Sequence, residues 1–378
     1  MKTSWIKGLW LTLAMGMCVS TSAAPISKDP YIGAMALDAR TGAVLYEDGA
    51  DRPGYPASML KLMDMFLILD RVQQGSIRLD DVVRVTQEAA AMGGSQVWLD
   101  VRESFSVREL LYALMIASAN DSAVALAIHV SGSKEAFVRE MNAKARDLKL
   151  SPVTQFHSPH GLPPGAGQRP DMTTARDFAK LCQALVTAHP EVLEYTSTAY
   201  RPFRPDAEKP VEMRTHNPLL ASIPKTGIEG CDGLKTGYFS DAGYSIAVTA
   251  ERNGARVIVV VLGSRDKKTR NAKAAELVLS SLSKASRGTG STAGTTSTTA
   301  TSSGTLGTSV QPNAPASETP TGDLTPAEEE AAGDEATSET HSEADEGGGF
   351  WKGLAIAVIV LFGIAVVLLA IQRRLLLR

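Results

Sequence analysis

Tyr55-Pro56-Ala57-Ser58-Met59-Leu60-Lys61-Leu62-Met63 is the stretch around which the chain is organised. A serine stands three residues before a lysine, at the start of an apolar run that reaches Leu69 without a strong breaker. Pro56 and the small Ala57 suit a helix entry, which puts Ser58 in a first helical turn. Side chains at i and i+3 share one helical face. In that geometry an uncharged lysine amine can take the serine proton, while unpaired first-turn amides face any developing oxyanion.

Spacing alone decides little, because Ser131/Lys134, Ser222/Lys225 and Ser281/Lys284 repeat it. Companions set the first copy apart. Between 106 and 129, Val107, Leu110, Leu111, Leu114 and Met115 recur at three and four as in a helix, and small and apolar residues continue the run. Ser118-Ala119-Asn120 interrupts it. Both polar types favour helix boundaries, yet in an apolar stretch they also need partners or a cleft to face. Farther on, Lys235-Thr236-Gly237 precedes two β-rich runs, 244–250 and 256–262, around the tight-turn pair Asn253-Gly254. Lys225-Thr226-Gly227 follows Pro224 with no strand pattern after it, and reads as a loop.

The remaining elements fall around these three. Residues 32–37 and 43–46 read as strands joined through Gly42, 136–148 as an amphipathic helix and 156–165 as a rigid loop. A helix over 173–186 has Thr173 or Thr174 as its cap, and 266–282 reads as a helix packed over the sheet. The simplest assembly is an α/β (α+β) body. Its antiparallel sheet draws on the first and last parts of the region, with a helical insertion between them.

Charge is segregated along the chain. The formal net charge is -3, but residues 288–349 hold eleven acids and no Lys or Arg. Lys2, Lys7, Lys352, Arg373, Arg374 and Arg378 carry six of the remaining positive charges, so the body is nearly neutral and offers no footprint for nucleic acid. Cys18 lies in the leader, and Cys182 and Cys231 allow one bridge in an oxidising compartment, although buried free thiols are the commoner state. No paired Cys or His spacing suggests a metal.

The ends of the chain carry their own signals. Residues 1–24 read as a signal peptide: Lys2 and Lys7, an apolar stretch over 8–19, and small residues with cleavage after Ala23. The catalytic region covers 25–286. Residues 287–349 are rich in Ser, Thr and Gly and then in acids, and should form a disordered linker. Residues 350–372 hold an uncharged apolar stretch over 353–371, about 28 Å long as a helix and enough to cross a bilayer. Trp351 suits the outer interface, and the basic tail 373–378 suits the cytoplasmic side.

The segment from about Pro30 to Ser286 resembles the low-molecular-mass penicillin-binding proteins, the serine-type D-alanyl-D-alanine carboxypeptidases. The likeness rests on Pro56 to Met63, on Ser118-Ala119-Asn120-Asp121-Ser122-Ala123 and on Pro159-His160-Gly161-Leu162. It extends to Thr174-Ala175-Arg176-Asp177, to Asp232-Gly233-Leu234-Lys235-Thr236-Gly237-Tyr238 and to Ala242-Gly243-Tyr244.

The resemblance implies a β-lactamase/transpeptidase-like fold and no cofactor. Ser58 would be the acylated nucleophile, Lys61 its base and Ser118 a proton relay between that amine and the leaving group. Asn120 would orient Lys61 and the substrate amide, and Lys235 and Thr236 would grip the terminal carboxylate. Gly237 would keep the strand edge open to substrate, with the amides of Ser58 and Tyr238 as the oxyanion hole. The implied partners are peptidoglycan stem peptides ending in D-Ala-D-Ala, with β-lactams as covalent inhibitors. The implied location is the bacterial membrane, single-pass, with catalysis on the periplasmic side.

Asp64 and Phe239 stand where the family commonly has threonine, and a spacer and an apolar segment replace a β-rich domain and an amphipathic anchor. The same site would serve a DD-endopeptidase. A β-lactamase would need a deacylating glutamate, and 156–171 has none. A tethered sensor would hold peptide ends without cutting them. His157 and His160 read as structural hydrogen-bonders.

Overall fold

Residues 28–287 are described by a computed structural model. The expected leader, linker, apolar segment and basic tail lie outside the described residues. The first two strands are β1 (Gly33–Asp38) and β2 (Val44–Asp48), antiparallel, with Gly42 at φ +73° in their turn. The Ser58 stretch enters as a 3₁₀ turn, Ala57–Leu60, and becomes helix α1 (Lys61–Gln73) only at Lys61. Next come β3 (Val82–Arg84), α2 (Gln87–Ala90) and β4 (Ser104–Ser106), with β3 paired to β4.

The long helical pattern forms two helices, α3 (Val107–Ile116) and α4 (Asn120–Ser131). They break at residues 117–119, where Ser118 takes the left-handed φ of +61°. A capping box of Ser106 and Glu109 starts α3, and Gly132 at φ +79° stops α4. Helix α5 (Lys134–Asp147) follows, then the loop 148–174 and α6 (Ala175–Ala188), capped by Thr174. Helix α7 (Val192–Thr196) and the hairpin β5 (Tyr200–Phe203) with β6 (Val211–Arg214) complete the insertion.

Strands β7 (Cys231–Phe239), β8 (Gly243–Arg252) and β9 (Ala255–Ser264) precede the last helix, α8 (Lys267–Leu282). They complete a five-stranded antiparallel sheet in the order β2-β1-β9-β8-β7. The uninterrupted apolar run of β9 reflects burial on both faces. Ile258, Val260 and Leu262 join the core shared with the helical insertion, while Val257, Val259 and Val261 pack with Ala274, Leu277 and Val278 of α8. Residues 61–69 of α1 are all buried, so this helix is the axis of the insertion rather than a surface element. Each of its large apolar side chains contributes about 1.5–3 kcal/mol by leaving water. Strand β7 is the outer strand on the side where the insertion meets the sheet, and the 3₁₀ turn packs against it.

Candidate active site

Four separate parts of the chain meet at the junction of β7 and the insertion: the 3₁₀ turn, the α3–α4 break, the loop at 158–162, and β7 itself. The turn is forced into position by close backbone approaches. A Cβ on Gly237 would lie 2.4 Å from Pro56 O and 3.0 Å from Met59 N, and one on Gly161 would lie 2.4 Å from Ala57 O. Only glycine lets the strand and the loop press against the backbone around Ser58. Ala57 takes φ +48° there, a left-handed conformation that accounts for the 3₁₀ entry where the sequence suggested a first helical turn. This gives Gly237 a packing role separate from the open strand edge that the resemblance implies.

Lys61 is fully buried and has three partners: Ser58 Oγ at 2.9 Å, Asn120 Oδ1 at 2.8 Å and His160 O at 2.7 Å. Burial lowers its proton affinity, Asp64, Asp171 and Asp121 partly restore it, and the net result is about 7. The uncharged amine has two N–H groups and one lone pair. With two carbonyl oxygens taking the N–H groups, the lone pair faces the Ser58 hydroxyl.

Asn120 is fixed in turn. Its Nδ2 donates to Gly93 O at 2.8 Å and its backbone N to Ser95 O at 2.7 Å. The neighbouring Asp121 carboxylate accepts from the amides of Val97 and Leu99, which ties 93–99 to the start of α4.

Lys235 reaches the same crevice from β7, where its Nζ donates to Ser118 Oγ at 2.9 Å and to Thr236 O at 3.2 Å. Burial, then Lys61 and Arg270, lower its proton affinity well below that of a free lysine. Ser118 is therefore bonded to Lys235, while Lys61 has Ser58, Asn120 and His160 as its partners. Thr236 is nearly buried beside Lys235. The Tyr238 ring is exposed and stacks on Tyr244 at 4.2 Å, so this residue offers the crevice its backbone rather than its phenol.

All eight residues selected from sequence lie on the 3₁₀ turn, on α1, at the α3–α4 break or on β7. Lys225-Thr226-Gly227 is in an exposed turn, with Lys225 at φ +67° and Thr226 Oγ1 bonded to Pro218 O. The His160 carbonyl on Lys61 was not foreseen; the nearest signal was the adjacent Gly161, which permits the close approach. The imidazole of His160 is lowered to about 4 by burial, Lys61 and Lys134, and it accepts from Leu162 N at 3.2 Å. His157 donates its backbone N–H to Asp171. Among the described residues no His, Cys, Asp and Glu grouping could hold a metal, and Cys182 and Cys231 are buried free thiols.

Comparison with known proteins matches residues 21–266 to a family model described as D-alanyl-D-alanine carboxypeptidase, peptidase S11. The chain is 36% identical over 245 residues to the D-alanyl-D-alanine carboxypeptidase DacF of Bacillus subtilis, covering 65% of this chain and 60% of DacF. It is 34% identical over 248 residues to DacC of Escherichia coli, covering 64% of this chain and 58% of DacC. It thus spans about 60% of the length of these relatives. Its fold is similar to that of penicillin-binding protein D2 from Listeria monocytogenes in an ampicillin-bound form. The TM-score is 0.57 at 33% identity, covering 66% of this chain and 96% of that one.

Proposed function

The chain belongs to the D-alanyl-D-alanine carboxypeptidase family, peptidase S11, and from that premise we propose that it removes the terminal D-alanine from peptidoglycan pentapeptides through a Ser58 acyl-enzyme. One observation carries the reading. The Asn120 and His160 oxygens occupy two positions around the buried Lys61 amine and leave the third to Ser58. The serine thus meets a base whose lone pair is already aimed.

Ser58 Oγ attacks the carbonyl carbon of the penultimate D-alanine as its proton passes to Lys61. The amides of Ser58 and Tyr238 receive the oxyanion, supported by the close approach of β7 to the Met59 amide. The C–N bond breaks, the departing amine takes by way of Ser118 the proton that Lys61 received, and Lys61 is uncharged again. Water then cleaves the ester and restores Ser58. The terminal carboxylate sits by Lys235 and Thr236, where its charge favours the ammonium form that burial disfavours. A β-lactam ring presents a reactive amide and a carboxylate to the same groups and forms the same ester, in keeping with the ampicillin-bound relative.

Deacylation of such a β-lactam ester should be slow: residues 156–171 hold no glutamate, and the buried Asp171 of this loop already accepts from His157 N, Ser158 N and Ser158 Oγ. The test is release of free D-alanine when the full chain meets a diacyl-D-Ala-D-Ala peptide. No release, with crosslinked peptides cut instead, moves the assignment to an endopeptidase. Rapid turnover of a chromogenic cephalosporin moves it to a β-lactamase.

The leader over 1–24 and the apolar stretch over 353–371 support a single-pass location in the bacterial membrane, with the catalytic body on the extracytoplasmic side and 287–349 as a spacer. Deleting most of 288–349 lowers activity in cells while leaving peptide hydrolysis by the purified chain unchanged. Equal in-cell activity after that deletion rejects the spacer's role.

A further inference from the structure

Asp64 lies one turn beyond Lys61 on α1, 1% exposed, and neither carboxylate oxygen has a hydrogen-bond partner. Neighbouring buried carboxylates are saturated. Asp121 takes the amides of Val97, Leu99 and Ser122, Asp171 is held by His157 and Ser158, and Asp177 is held by Ser151 and Thr154. A buried carboxylate without donors is unfavourable when ionised, and either a proton or a nearby cation relieves it. On the same helical face the available cation is Lys61, three residues away.

The charged groups around this pair come from every packed element. Asp171 and His160 stand on the loop, Asp121 at the start of α4 and Lys235 on β7. Helix α5 directs Lys144 to Asp70, Asp177 of α6 faces Ser151 and Thr154, and Glu109 of α3 caps its own helix. None of these neighbours supplies a hydrogen bond to Asp64.

We propose that Asp64 and Lys61 together hold one proton, coupled by charge across one helical turn rather than by a hydrogen bond, and that Asp64 thereby raises the pH at which Ser58 gains its base. With the proton on Asp64, Lys61 is a free amine and accepts the Ser58 proton. With the proton on Lys61, the two groups carry opposite charges on one helical face without touching, and the serine has no acceptor. Asp64 is thus a positioning residue that acts through Lys61. The direction of the shifts agrees: burial and Asp171 raise Asp64 far above an ordinary carboxylic acid, against Lys61, and Asp64 is the largest influence raising Lys61.

This inference rests on Lys61 as the base of the proposed peptidase, and one experiment separates the two. Acylation of the full chain by a fluorescent penicillin is timed from about pH 5 to about pH 9 for the parent, Asp64→Asn and Asp64→Thr. Removing the carboxyl moves the acidic limb down by about one pH unit, and a limb spread over two ionisations becomes a single step. A limb unmoved in both variants overturns the inference while leaving the peptidase reading intact. A parent chain that is never acylated and releases no D-alanine defeats the underlying reading instead. Asn preserves the shape and Thr removes bulk, so a folding defect in one leaves the other to carry the comparison.

Discussion

Lys61 Nζ and Lys235 Nζ each hold a different serine, Ser58 Oγ and Ser118 Oγ, at the same distance of 2.9 Å within one buried crevice. Two adjacent ammonium groups would repel each other in a dry site, and Lys61 indeed lowers the proton affinity of Lys235. An arriving carboxylate changes that balance. On the proposed function it would favour the charged form of Lys235 and so leave Lys61 as the uncharged partner, coupling recognition of a peptide end to readiness of the base.

Replacing Lys235 should therefore cost more than one hydrogen bond. Lys235→Ala is expected to slow acylation by penicillin at least 100-fold, or about 2.7 kcal/mol, as for loss of a charge-assisted contact formed in the transition state. Lys225→Ala, in the exposed turn, should stay within about twofold of the parent. The reverse pattern would exchange the roles of the two Lys-Thr-Gly segments.

The pH dependence has a definite sign. A lysine base works only when uncharged, and Lys61 is lowered to about 7, so acylation should rise with pH and reach half its plateau near that value. His160, lowered to about 4, is neutral throughout and should leave no mark on the profile. A rate that is flat from about pH 5 to about pH 9 would remove Lys61 from the role of base.

Much of this arrangement was legible in the chain because motifs made of side chains are spelled locally. Ser58 and Lys61 share a face by spacing alone, and the apolar run through 256–262 announces a doubly covered strand. The backbone acceptors were not legible. His160 O and Gly93 O hold Lys61 and Asn120, yet a carbonyl is common to every residue and leaves no trace in the letters. The left-handed Ala57 and Ser118 were hidden for a related reason, since their dihedrals answer to tertiary contacts rather than to propensity. Asp64 was visible as an unexpected residue, but only the packed structure reveals that nothing hydrogen-bonds to it.

Gly237 should tolerate no side chain. The Cβ of Gly237→Ala would collide with Pro56 O at 2.4 Å, and backbone on both sides gives way poorly. Relief must come from moving the turn that bears Ser58, at a cost of roughly 1–3 kcal/mol as for other overpacked sites. Acylation is expected to fall at least tenfold, with Tm lowered by several degrees. Unchanged acylation kinetics would mean that the turn has slack the contacts do not suggest.

One carboxylate closes the folded region on itself. Asp38, at the end of β1, accepts from Arg40 N at 2.9 Å, from Thr41 N at 3.0 Å and from Ser286 N at 2.6 Å, so one carboxylate joins the first hairpin to the chain just after α8. Burial alone would raise its proton affinity, but the Ser286, Thr41 and Arg40 bonds outweigh it and bring it down to about 2. A depressed acid contributes stability above its unfolded value, near 3.8, and loses it as pH falls through about 2. Asp38→Ala leaves these amides without their acceptor and should cost about 1–3 kcal/mol at neutral pH, read as a Tm lowered by several degrees. The gap between parent and variant should narrow as the pH of the melt is taken from about 4 toward about 2, because protonation weakens in the parent what the substitution has already removed. A gap that stays constant over that range would show that the ionised carboxylate does not hold the two ends together.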